Sequence, residues 1–176
     1  MLAAVRDVNR LEMVGETLRA GLEALAAAAP SWLAGQVDAD VVKPYAARID
    51  EWRLPSEQTK RRDLAVQVGN DGWWLLRALA GKRTPDWLWQ IRAVEVLRRV
   101  WVQQYIRDES GPGVIWRDAT THALPPGRTM LVSPYDTDAR HAENAATAGR
   151  ATKSISARPA TTPPPSAVTT MANHRT

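Results

Sequence analysis

Tyr135-Asp136-Thr137-Asp138 sets two carboxylates two residues apart, on one side of an extended chain, the spacing from which two acids can share a divalent cation. Two ligands without a third acid or a histidine make an incomplete site, and a solvated acidic turn accounts for the same four residues. Lys60-Arg61-Arg62 offers three cations for phosphate contacts. With Glu57 and Asp63 beside it, the same run also reads as a solvated, charge-balanced helix face. Trp73 and Trp74 are adjacent, so on a helix they diverge by about 100° and cannot both face one core. One of them is then free to stack on an unpaired or flipped base, or the pair serves two packing surfaces or an interface. His122, His141 and His174 show neither metal-ligand nor triad spacing. The chain has no cysteine, which excludes disulfides and thiolate metal sites. No residue receives a catalytic role from these patterns.

The elements that would position these groups are helical first and loop-rich later. Leu11, Leu18 and Leu25 recur every seven residues with Val8, Val14 and Leu22 between them. That spacing predicts a long amphipathic helix ending before Pro30, with a stripe that needs a partner. A second helix, capped by Asp38 or Asp40, would carry Val41, Val42, Tyr45, Ile49 and Trp52, with Pro44 confined to its first turn. Ser56 would cap a third, charged helix running to Gly69 as terminator, and Asp71 would restart a short helix through Leu79 to Gly81. Thr84-Pro85 reads as an N-cap with proline at the first helical position. After a break near Ile91, Val94, Leu97, Trp101 and Tyr105 mark a last helix. Beyond Arg107, Gly-Pro punctuation separates two short apolar runs, Val114-Ile115-Trp116 and Met130-Leu131-Val132, as strands of a small hairpin.

The sequence pI near 9.8 suggests a nucleic-acid partner. Residues 140–176, however, hold five of the 23 basic residues and one of the 19 acidic ones, so the whole net charge of +4 sits there and the body is neutral. Net charge therefore does not support a phosphate-binding footprint for the body. The early charges Arg6 and Asp7 argue against a signal peptide, and no apolar run approaches the roughly 20 residues a membrane span needs. A cytoplasmic protein with no membrane partner is expected.

At Arg140 the composition shifts to Ala, Thr and Pro, with no Leu, Trp, Tyr or Phe to the end of the chain. Such a segment cannot bury enough apolar surface to offset chain entropy, and disorder is expected over 140–176. Its source lies in the gene. Allowed codons for Ala148 to Pro163, read from their third base, give W-T-G-Y-K-V-H-L-S-E-T-C-D-D-P, an alternating, strand-like run. The tail thus reads as translation in a shifted frame.

Four strings of the body carry a resemblance. They are Leu2-Ala3-Ala4-Val5-Arg6-Asp7-Val8-Asn9-Arg10-Leu11-Glu12, Val68-Gly69-Asn70-Asp71-Gly72, the run Ala93-Val94-Glu95-Val96-Leu97-Arg98-Arg99-Val100-Trp101-Val102-Gln103-Gln104-Tyr105, and Leu124-Pro125-Pro126-Gly127-Arg128 through Ser133-Pro134-Tyr135-Asp136-Thr137-Asp138-Ala139-Arg140. Together they resemble a family of DDE-type transposases from bacterial insertion sequences, over about residues 2–140. In that family the next motif resembles W-x-G-Y-K-V-H-L-x-E-T-C-D-D, the run that the shifted frame restores. The family's first catalytic Asp would precede Leu2, in a T-D-S-T-H-V strand, with Met1 standing where its Val would be.

The resemblance implies a ribonuclease H fold in which three carboxylates hold two divalent ions, Mg²⁺ in the family, for in-line phosphoryl transfer on DNA. By the same matching the first acid lies before Met1 and the other two beyond the frame change, so no catalytic residue is carried over. The expected fold is mainly α: a helical insertion segment (1–107), a short β and loop region leading towards the catalytic core (108–139), and the disordered, out-of-frame tail (140–176). The expected function is that of an inactive transposase remnant. The alternatives are a helical DNA-binding or dimerisation module that modulates a full-length transposase, with Lys60, Arg61, Arg62, Trp73 and Trp74 as DNA contacts, and a metal-dependent nuclease using Asp136 and Asp138. Uncovered apolar surface on a neutral body also implies self-association. For the tail the expectation is direct: amides of 140–176 should exchange at random-coil rates and protease should remove this segment first. Slow exchange there would overturn the disorder assignment.

Overall fold

Leu11, Val14, Leu18, Leu22 and Leu25, each no more than 7% exposed, line one side of α1 (Leu2–Ala28). The computed structural model describes residues 2–37, 39–48, 54–118, 121–126 and 129–136, with no side-chain description for 2–6 and 39. The stripe of α1 is covered by α4 (Gln58–Leu79) and α5 (Arg92–Gln104). Gly21 brings α1 close to α5, where an added Cβ would lie 3.4 Å from Leu97 Cδ2. The chain is mainly α, as expected, with two short strands, β1 (Tyr105–Arg107) and β2 (Val114–Trp116). These strands pair antiparallel, Ile106 opposite Ile115.

Several local expectations are corrected. Pro30 does not only end α1; it opens α2 (Pro30–Gln36), because proline's fixed φ and missing N–H suit a first turn. The second expected helix is short. α3 (Ala39–Val42) passes into a 3-10 turn, Lys43–Tyr45, at Pro44, and the chain bends at Ala46 and Ala47. Asp40 lies inside α3 rather than capping it; Asp38, Ile49 and Trp52 lie outside the described residues.

The main correction concerns Gly69. It does not terminate a helix, and Asp71 does not restart one: α4 runs unbroken through both, and among the described residues no glycine has positive φ. The missing side chains serve packing instead. A Cβ on Gly69 would lie 2.3 Å from Tyr105 Cε1, and one on Gly72 would lie 2.0 Å from Trp101 Cζ2. Ser56 is not the cap of α4 either. Glu57 holds that position without a side-chain cap bond, while the Arg61 guanidinium donates to the carbonyls of Pro55, at 2.9 Å, and Ser56.

At the other end, the Thr84 hydroxyl donates back to the Ala78 carbonyl at 2.9 Å. Pro85 then precedes a 3-10 turn, Asp86–Gln90, rather than the first turn of an α-helix. The expected break at Ile91 is present, but Tyr105 already belongs to β1. The partner of Val114–Trp116 is therefore the chain leaving α5, not Met130–Val132. Gln103 ties that later segment down, its Oε1 accepting from Leu131 N at 3.0 Å and its Nε2 donating to Thr129 O at 3.0 Å.

The two glycine classes separate in a test. Gly72→Ala forces the Trp101 indole out of its seat and should lower unfolding free energy by about 2–3 kcal/mol. Gly35→Ala, with nothing within 4 Å of its Cβ, should raise it by roughly 0.5–1 kcal/mol. Urea unfolding midpoints read both; equal effects would contradict the packing role of Gly72.

Candidate functional site

Each residue of Val68-Gly69-Asn70-Asp71-Gly72 has a partner of its own. Val68 is buried in the core. Gly69 receives the Tyr105 ring, and its carbonyl accepts from the Trp101 indole N–H at 2.9 Å. Asn70 Oδ1 accepts from Val114 N at 2.9 Å, which fastens β2 to α4. Asp71 Oδ2 accepts from the Tyr45 hydroxyl at 2.5 Å, and Gly72 receives Trp101. The Tyr105 hydroxyl donates to Ala65 O at 2.8 Å. Burial raises both phenols: Tyr105 stands well above its ordinary pKa, and Tyr45 is raised by burial and further by Asp71. Burial also lifts the Asp71 carboxyl above the usual range, against the opposing effect of the Tyr45 bond.

A polar knot lies beside this aromatic cluster. Arg10 of α1 donates through Nε to Gln104 Oε1 and through Nη2 to Arg117 O, both at 2.8 Å, and its guanidinium sits 4.2 Å from the centroid of Trp116. Burial lowers its pKa, with Asp7 opposing most strongly. Trp116 meets Tyr105 edge-on at 5.2 Å. Arg117 spends its guanidinium on main-chain carbonyls, including that of His122 at 3.0 Å. These groups are held by one another. The adjoining cleft, lined by Asp7, Arg61, Arg62 and Trp116 among others, has a volume of about 10 Å³, near the lower limit for one water.

The candidate phosphate contacts are engaged within the chain. Lys60 pairs with Glu57 at 2.9 Å, Arg61 binds the carbonyls before α4, and Arg62 reaches Asp118 at 3.1 Å. Trp73 and Trp74 diverge as the helical geometry requires: Trp73 packs partly buried against the core, and Trp74 is 39% exposed. The structure does not bring these five residues into one surface patch: Lys60, Arg61 and Arg62 lie in the first turns of α4, the two tryptophans towards its far end. Asp136 is exposed. Asp138, His141 and His174 lie outside the described residues, as does the whole of 140–176. His122 accepts at Nδ1 from Asp118 N at 3.2 Å. Among the described residues no three His, Asp or Glu side chains converge as a metal would need, and no helix is long and apolar enough to cross a membrane.

No family model, curated protein or solved structure matches the chain.

A concavity of about 530 Å³ lies between α4 and α5. Trp73, Leu76 and Ala80 come from α4, Trp101 and Val102 from α5, Trp89 from the 3-10 turn, and Ile106 and Val114 from the hairpin. Its charged lining is Arg77, Arg98, Arg107 and Arg117, with no carboxylate. Of the residues proposed from sequence, only Trp73 belongs to it. Arg77, Arg98, Arg107 and Trp89 were not anticipated. The helical spacings 73, 76, 77, 80 and 98, 101, 102 carry part of the signal, but which faces of α4 and α5 stand side by side is not encoded in spacing.

The buried phenols imply an alkaline limit. Below about pH 10 the folded and unfolded chains both keep these protons; above it the unfolded chain releases them and the folded chain does not. Stability is therefore fully present below pH 10 and should fall as pH rises beyond it, by about 1.4 kcal/mol per pH unit for each phenol. Tyr45→Phe should cost about 1–3 kcal/mol near neutrality, through loss of the bond to Asp71, while making the alkaline decline shallower. Denaturant midpoints from pH 7 to 11 measure both; an unchanged slope in the variant would contradict retention of the Tyr45 proton.

Proposed function

We propose that the chain is a remnant of a DDE-type DNA transposase, carrying the helical insertion segment of its parent and no strand-cleaving activity of its own. The carrying observation is that residues 148–163 admit codons whose shifted reading spells the motif that follows Tyr135-Asp136-Thr137-Asp138 in the transposase family. A mainly α body agrees in class with such an insertion segment. The parent reaction is cleavage and transfer of DNA strands with Mg²⁺ bound by three carboxylates. Matching to the family carries none of these carboxylates over to residues 2–140. The proposed location is the cytoplasm, where a bacterial parent meets its DNA.

A second reading is a helical module that binds DNA or a full-length transposase and modulates it. The α4/α5 groove, with arginines and no carboxylate in its lining, favours a binding role of this kind.

The gene decides the first reading. The nucleotide sequence from codon 138 onward should keep an open second frame beyond the stop codon of the tail, encoding the carboxylate-bearing strands of a ribonuclease H-like core. The purified chain should not nick supercoiled DNA with Mg²⁺ or Mn²⁺. Stop codons scattered through that frame just after the tail, or metal-dependent nicking, would overturn it.

A further inference from the structure

We infer that the groove between α4 and α5 is a docking site for an amphipathic helix with acidic flanks, supplied by another protein. The inference gives the module reading a partner chemistry and rests on the groove alone, so the ancestry of the gene does not enter it.

Three features select this occupant. The lining is almost wholly apolar. Of its four polar aromatics, Trp73, Trp89, Trp101 and Tyr105, the two buried ones have their polar tips committed, the Trp101 N–H to Gly69 O and the Tyr105 hydroxyl to Ala65 O. Recognition inside the groove is therefore by apolar contact, as when a helix inserts side chains spaced i, i+3, i+4 and i+7. The volume of about 530 Å³ is of the size that takes such anchors. Val102, on the exposed flank of α5, keeps 69% of its surface in water and provides an apolar lip.

The charges complete the choice. Arg77, Arg98 and Arg107 line the groove, and among the described residues none has a carboxylate within ion-pair reach. Arg117 is set apart by its bonds to main-chain carbonyls. Three uncompensated guanidinium groups around an apolar floor complement Asp and Glu on the flanks of a partner helix and repel a basic one. A single nucleic-acid strand would use the same cations and stack on exposed ring faces, but Trp101 and Tyr105 are buried and Trp73 and Trp89 partly so. The aliphatic share of this floor, Leu76, Val102 and Ile106, suits a helix better.

The test uses the full chain and a fluorescein-labelled peptide of about 18 residues, long enough to hold helix, with Leu at the anchor spacing and Glu on both flanks. Fluorescence anisotropy should rise to saturation and weaken with added salt. A peptide with Lys in place of Glu should not bind. Arg77→Glu and Arg98→Glu, at exposed positions, should each weaken binding about tenfold, and Val102→Asp should abolish it, with far-UV circular dichroism unchanged in all three. Equal affinity for the Lys peptide, insensitivity to all three substitutions, or no binding at millimolar peptide would overturn the inference. So would competitive displacement of the peptide by oligo(dT) at lower concentration, which would make the groove a nucleic-acid site. None of these outcomes bears on the second reading frame, so the two conclusions fail separately.

Discussion

Trp101 and Tyr105 can lie flat on α4 only because residues 72 and 69 lack side chains, and the rest of the fold is arranged around that contact. A glycine inside a helix costs about 1 kcal/mol against alanine, so the pair is a local disadvantage of about 2 kcal/mol. Burying a large apolar side chain returns about 1.5–3 kcal/mol, and here two rings are buried, with a hydrogen bond from each to the α4 backbone. Burial wins, and α4 stays whole. Their seating sets α5 antiparallel to α4, places the hairpin over Asn70, and leaves the groove on the flank that the rings do not fill.

The charges divide along the same line. Arg10, Arg19, Arg61, Arg62 and Arg117 are bound to carboxylates, amides or carbonyls of their own chain. Arg19 joins Glu16 and Glu23 and donates to the Tyr135 hydroxyl at 2.7 Å, holding the last described segment against α1. These cations serve cohesion. The arginines of α4 and α5 that flank the groove do not, so a neutral body still presents one locally positive surface.

What was legible in the sequence follows from range. The α1 stripe was readable because periodicity is local and its leucines all face one way. The break at Ile91 was readable for the same reason. Gly69 and Gly72 were not, since the usual reading of a glycine after an apolar run, a left-handed stop, competes with close packing, and only the rings of Trp101 and Tyr105, far along the chain, decide between them. Tyr105 fits the spacing of α5 as well as it fits a strand; pairing with Trp116 settles it. Lys60-Arg61-Arg62 looked like a surface cluster because partners such as the Pro55 carbonyl and Asp118 leave no trace in spacing. The groove was hidden because spacing does not tell which faces of α4 and α5 stand side by side.

Arg10 closes the structure in a way that bears on how it forms. Its side chain joins Gln104 and the Arg117 carbonyl, positions 94 and 107 residues further along. Linking sites so far apart carries a large loop-closure entropy before any contact returns it. The contacts among α4, α5 and the hairpin span shorter stretches of chain and close at lower entropic cost. α1 thus has to wait for Gln104 and Arg117, far along the chain, before its half-buried arginine has both partners, and until α4 and α5 are in place its leucine stripe is open to whatever else is near.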